Sequence, residues 1–138
     1  MLPYIHFISA VLGSIVLLLL NWQWWQIAIF FLTAFFIDVD HYIYFIFKKK
    51  SFNLKKAYKY FLCLNKEMKT KKIRLLVFLH TIEFFILLVI FTFIYYSIFL
   101  PLLLGFLIHY ILDLIARFIE KNKRYYREFS IIYHLLKR

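Results

Sequence analysis

The stretch W-W-Q-I-A-I-F-F-L-T-A-F-F-I-D-V-D-H-Y-I-Y-F-I-F, Trp24 to Phe47, is almost entirely apolar until it meets two aspartates and a histidine. About 20 mostly apolar residues are enough for a helix to cross the hydrocarbon of a bilayer. The stretch therefore reads as a membrane span with an ionisable motif embedded in it. Working outward, Leu2 to Leu20, Leu75 to Phe99 and Pro101 to Phe118 are comparable in length and character. Together they predict an all-α integral membrane protein, a bundle of four transmembrane helices forming one domain over residues 1–138. Composition agrees: 64% of the 138 residues are hydrophobic and 23% aromatic, with only 2 glycines and 2 prolines. A soluble domain of this size cannot bury so much apolar surface.

A net charge of +11 invites a nucleic-acid reading, but the distribution of the 18 Lys and Arg excludes it. They fall in Lys48 to Arg74 or after Asp113, while the turns around Asn21 to Gln26 and Tyr95 to Pro101 carry none. The positive-inside rule then places both basic regions, and both termini, on the cytoplasmic side of a multi-pass protein of the cell membrane. Trp22, Trp24 and Trp25 fall at the opposite interface, where indoles are favoured. The first hydrophobic segment has no basic region before it and is long for a signal sequence, so it reads as a retained helix. The single Cys63 has no partner for a disulfide or a CxxC pair and reads as apolar filler.

Between spans two and three, Leu54, Ala57, Tyr58, Phe61, Leu62, Leu64 and Met68 recur at near-helical spacing among Lys55, Lys56, Lys59 and Lys66. This predicts an amphipathic helix in the headgroup plane within 48–74, lysines toward anionic lipid. The tail 121–138 mixes basic and aromatic residues and reads as a second surface-bound helix.

Most of the 7 acidic residues and 5 histidines are gathered inside or beside the apolar stretches. His6 lies in the first span, Asp38, Asp40 and His41 in the second, His80 and Glu83 open the third, and His109 and Asp113 occupy the fourth. Ionisable groups at membrane depth are expensive and by default mark function. Counted at about 1.5 Å per residue, antiparallel spans bring all of them to one level in the cytoplasmic half of the bilayer. His80 with Glu83 and His109 with Asp113 share helix faces. Asp38 and His41 do likewise, but Asp40 points about 200° from Asp38 on an ideal helix. Either the helix distorts there, or one aspartate orients a histidine rather than binding directly. Four carboxylates in a low-dielectric cavity demand cations, and imidazole with carboxylate suits a divalent metal: Zn²⁺ first, Mn²⁺ or Fe²⁺ next, as one or two ions. Taken singly, Asp113 could pair with Arg117 four residues on and His6 could be an interfacial histidine. His134 reads as a surface residue, and Glu67, Glu120 and Glu128 as solvated.

His6, D-V-D-H at 38–41, H-T-I-E at 80–83 and H-Y-I-L-D at 109–113, in that order, resemble the YdjM family of small membrane-bound metal-dependent hydrolases. R-E-F-S at 127–130 is similar to that family's Arg-x-Trp-Ser tail, with Phe129 in place of Trp. The resemblance covers most of the chain. It departs in the third motif, where many members have His-Arg followed by Thr-His-Ser. The family is thought to be related to zinc-dependent phospholipase C and the S1/P1-type nucleases, so the resemblance implies phosphoester hydrolysis.

Residue chemistry and resemblance converge on a metal-dependent hydrolase. Its metal ligands are drawn from His6, Asp40, His41, His80, His109 and Asp113, with Asp38 or Glu83 orienting a histidine or taking a proton from water. The surrounding lysines and the membrane setting favour a lipid-like phosphoester and membrane lipids as partners. A homodimer is compatible with so thin a bundle. Two rivals differ in kind. A metal or proton transporter also uses buried His and carboxylates, but the outer halves of the spans are almost devoid of polar groups and no inverted repeat is evident. A non-enzymatic protein with a structural metal site would lack an open coordination position.

Overall fold

The computed structural model of the protein describes residues 3–67, 74–119, 126–128 and 130–136. In chain order the elements are α1 (Pro3–Leu19), α2 (Trp24–Phe36), α3 (Val39–Lys49), α4 (Leu54–Glu67), β1 (Arg74–Leu76), a 3-10 turn (Phe78–His80), α5 (Ile82–Ile94), α6 (Tyr96–Ile119), β2 (Tyr126–Glu128) and α7 (Ile131–Leu136). The architecture is helical, as expected. The strands are two three-residue segments paired in parallel, Arg74 opposite Tyr126 and Leu76 opposite Glu128. Contacts divide the chain into two compact units, Met1–Ile37 with Phe85–Ile119, and Asp38–Phe84 with Glu120–Arg138.

The first unit is built by α1, α2 and α6. Helix α1 stops at Asn21, whose φ of 60° is the left-handed conformation that asparagine tolerates. Asn21 N–H then donates to Leu18 O and Trp22 N–H to Leu17 O, closing the end of the helix. Trp22 packs against the cluster of Ala10, Leu17, Phe30 and Ala34, the apolar contact that commonly accompanies this cap. Both glycines serve close packing. A Cβ on Gly13 would lie 2.5 Å from Phe30 Cζ, and one on Gly105 would lie 2.7 Å from Phe30 O, so the α2 backbone sits directly on α6.

Helix α6 begins at Tyr96, five residues before the span expected to start at Pro101, and contains that proline. A proline inside a helix leaves the carbonyl four residues earlier without its donor. Here that carbonyl is Ser97 O, and it accepts instead from Gln26 Nε2 at 3.2 Å, a side chain of α2. Two threonine hydroxyls within the apolar helices are satisfied locally, Thr33 on Ile29 O and Thr92 on Leu88 O.

The second unit packs α3 against α4 around Leu64 and Val77, with Tyr44, Tyr60 and Phe61 beside them. Helix α3 ends at Lys50, which takes φ 49° and donates to Ile46 O. Helix α4 starts at Asn53, whose Oδ1 accepts from Lys56 N–H, an N-cap. It covers the predicted amphipathic segment and keeps Leu54, Tyr58 and Leu62 exposed; Met68 lies outside the described residues. The tail is not one helix over 121–138, since it contains β2 and the short α7.

Two expected spans differ from their sequence outlines. Trp24 to Phe47 is not continuous: α2 ends at Phe36, Ile37 and Asp38 form a turn, and α3 begins at Val39, so the helix is interrupted at the D-V-D-H motif. Leu75 to Phe99 yields only the 13-residue α5, because Arg74–Leu76 pairs with β2 and Thr81 starts the helix as its N-cap. By length and composition one helix, Tyr96–Ala116 within α6, suffices to cross a membrane, or two if the bent α2–α3 pair forms a single span.

Candidate metal centre

Each unit carries its own cluster of imidazole and carboxylate. In the first, His6 comes from α1 and His109 and Asp113 from α6, one turn apart as their spacing predicts. His6 and His109 are 1% exposed, and their rings stack at 4.0 Å with planes 15° apart. His109 Nδ1 lies 3.0 Å from Ala34 O. A carbonyl only accepts, so Nδ1 carries a proton, which leaves Nε2 as the basic nitrogen whenever the ring is neutral. Ala34 sits in the last turn of α2, where carbonyls run out of intrahelical donors. His6 Nε2 is 3.5 Å from Asp113 Oδ1. The Arg117 side chain, expected as a rival partner of Asp113, lies outside the described residues.

In the second unit the bend after α2 places Asp38, Asp40 and His41 on the first turn of α3 and before it. Asp40, 7% exposed, is the hub. His41 Nδ1 lies 2.8 Å from its Oδ1 and His80 Nδ1 3.0 Å from its Oδ2, while Leu79 N–H donates to the same Oδ2 at 3.1 Å. Asp38 Oδ1 is 3.4 Å from His41 Nδ1 and 3.7 Å from His80 Nε2. Asp40, His41 and His80 each offer a ligand atom within 4.8 Å of the others. Two imidazoles and a carboxylate at that separation are a donor set for a divalent ion of the zinc type.

No family model, curated protein or solved structure matches this chain.

The pairing of His80 with Glu83 on one helix face does not form. His80 ends the 3-10 turn, Thr81 Oγ1 accepts from Phe84 N–H to cap α5, and Glu83 begins that helix. Glu83 Oε1 instead accepts from Ser130 Oγ at 2.5 Å and from Ile132 N–H at 3.2 Å, tying the start of α5 to α7. Its Oε2 is buried with no hydrogen-bond partner among the described residues. His134 lies on α7 and belongs to neither cluster. Sequence reasoning missed three partners: the Leu79 amide, the Ala34 carbonyl and the Ser130 hydroxyl. Main-chain groups leave no residue-type signal, whereas Ser130 stood within R-E-F-S and wanted only the carboxylate it would meet.

Proposed function

We propose that the chain is a membrane-embedded metal-dependent hydrolase that cleaves a phosphoester of a lipid-like substrate at the cytoplasmic face. The observation that carries this reading is the Asp40–His41–His80 group, in which His80 joins a pair that begins 40 residues before it in the sequence. Nothing about fold stability requires such a set, since buried ionisable groups are a burden unless used. The resemblance to the YdjM family supplies the reaction class.

The four-span topology belongs to the same proposal. Leu18, Leu19, Trp24, Phe93 and Phe118 are all more than 60% exposed, and only 22% of the apolar window in α6 is buried within the protein. A soluble core helix would be mostly covered; these faces suit acyl chains. Lys48, Lys49, Lys55, Lys56 and Lys59 on α3 and α4 suit a cytoplasmic leaflet rich in anionic lipid.

When bound, a divalent metal, zinc first, would acidify water toward neutral pH and polarise the phosphoryl oxygen. The residues divide the remaining work. In the second unit His41 and His80 would supply imidazole donors. In the first, His109, whose Nδ1–H is tied to Ala34 O, would supply one to its own cluster, with Asp113 beside His6 as the carboxylate. Asp38, with 39% of its side chain exposed, is open enough to take a proton from water. Glu83, bonded to Ser130 and Ile132, holds the α7 segment in place.

The test is hydrolysis of short-chain phospholipid and isoprenoid phosphates by purified protein in proteoliposomes, with and without a chelator and with metal restored. Phosphate or headgroup release that falls with chelation and returns with Zn²⁺ or Mn²⁺ is expected. Ion flux across the same proteoliposomes without any hydrolysis would replace this reading with transport.

A further inference from the structure

The second cluster contains more carboxylate than a three-ligand site needs, and its hydrogen bonds distinguish the two aspartates. We propose that Asp40 is a positioning residue rather than a ligand. It holds His41 and His80 in the Nδ1–H form, which leaves Nε2 of each ring as the basic nitrogen for a divalent cation. The inference rests on the metal-centre reading above.

An ionised carboxylate can only accept hydrogen bonds, so a nitrogen 2.8–3.0 Å from it must donate. Both donors are Nδ1, which in a neutral imidazole leaves the basic lone pair on Nε2. A third donor, the Leu79 amide, adds to the load on Asp40 Oδ2. It belongs to the residue before His80, so the carboxylate fixes the ring of His80 and also the 3-10 turn that carries it. A cation bound directly at Oδ2 would compete with two donors already there. Asp38 is more exposed, and its Oδ1 lies 3.4 Å from Nδ1 of His41 and 3.7 Å from Nε2 of His80. A carboxylate that accepts from the far nitrogen of a ligand histidine is the usual outer partner of such sites. Here one carboxylate serves two rings.

Asp40→Asn is the discriminating substitution. Its amide has one accepting oxygen and one donating nitrogen, so it can satisfy Nδ1–H of one ring but faces the other with N–H. That second ring must then shift its proton to Nε2. Long-range ¹H–¹⁵N correlation of imidazole nitrogens, on metal-free full-length protein in micelles at mildly alkaline pH, reads the tautomers directly. In the wild type His41 and His80 are expected as Nδ1–H, with one of them converted in Asp40→Asn. Both rings as Nε2–H in the wild type, or no tautomer change in a folded Asp40→Asn protein, would overturn the proposal.

Co²⁺ binding to the same proteins gives the second readout. Asp40→Asn should keep the wild-type absorption envelope while weakening affinity roughly 10- to 100-fold. A changed envelope would make Asp40 a ligand. Failure of the wild type to bind Co²⁺ at all would instead overturn the metal-centre reading, while the tautomers still decide what Asp40 does.

Discussion

His109 is held at three points: its ring lies flat on His6, its Nδ1–H meets Ala34 O, and it sits one helical turn from Asp113. Its removal should therefore be felt in stability as well as in any chemistry. His109→Ala leaves a buried carbonyl without its donor and takes away the stacking partner of His6. A loss of about 1–3 kcal/mol is expected for the orphaned group, read as a lower midpoint of unfolding in detergent. An unchanged midpoint would mean that the bond to Ala34 contributes nothing. Ser130→Ala is a milder change with a local readout, since it frees Glu83 from one of its two bonds to the α7 segment. Hydrogen exchange at the Ile132 amide should accelerate while exchange in α2 and α6 stays the same.

The elements owe their limits to contacts that lie far apart in sequence. Helix α6 runs through Pro101 because Gln26 takes over the carbonyl that the proline leaves open, and α2 approaches α6 because Gly105 has no Cβ. Gly105→Ala places a methyl within 3 Å of the Phe30 carbonyl and the Thr33 side chain, and a backbone atom cannot step aside. Overpacking of this kind costs about 1–3 kcal/mol, outweighing the helix propensity gained, about 1 kcal/mol at most. Gly13→Ala meets the end of the Phe30 ring instead, which can tilt, so it should lower the unfolding midpoint less than Gly105→Ala. Equal effects would argue against the close α2–α6 approach. These same contacts explain what the sequence could show. Hydrophobic runs and 3.6-residue spacing disclosed α1, α4 and the pairing of His109 with Asp113. The facing of Asp38 against Asp40 left two readings open, a distorted helix or an aspartate that orients a histidine. Leu75 to Val77 looked like the start of a span because three apolar residues have no period of their own. Only the partner strand at Tyr126–Glu128 makes them a strand. Likewise Pro101 marked a helix start by the usual rule, and only the remote side chain of Gln26 moves that start to Tyr96.

For the whole molecule, the membrane topology and the metal centre stand or fall separately. Cys63 is the single cysteine, exposed on α4 in the lysine-rich region proposed to face the cytoplasm. A membrane-impermeant maleimide should therefore label the protein only after cells are permeabilised, and labelling in intact cells would reverse the proposed orientation. The metal centre rests on Asp40, His41 and His80 lying together with a ligand atom of each within 4.8 Å of the others. The most direct measurement is the transition-metal content of the detergent-purified protein beside a His41→Ala/His80→Ala variant of matched purity. Near-stoichiometric metal in the wild type, lost in the variant, is the predicted result. A wild type that carries none after reloading with Zn²⁺ or Mn²⁺, or a variant that carries as much as the wild type, would contradict it.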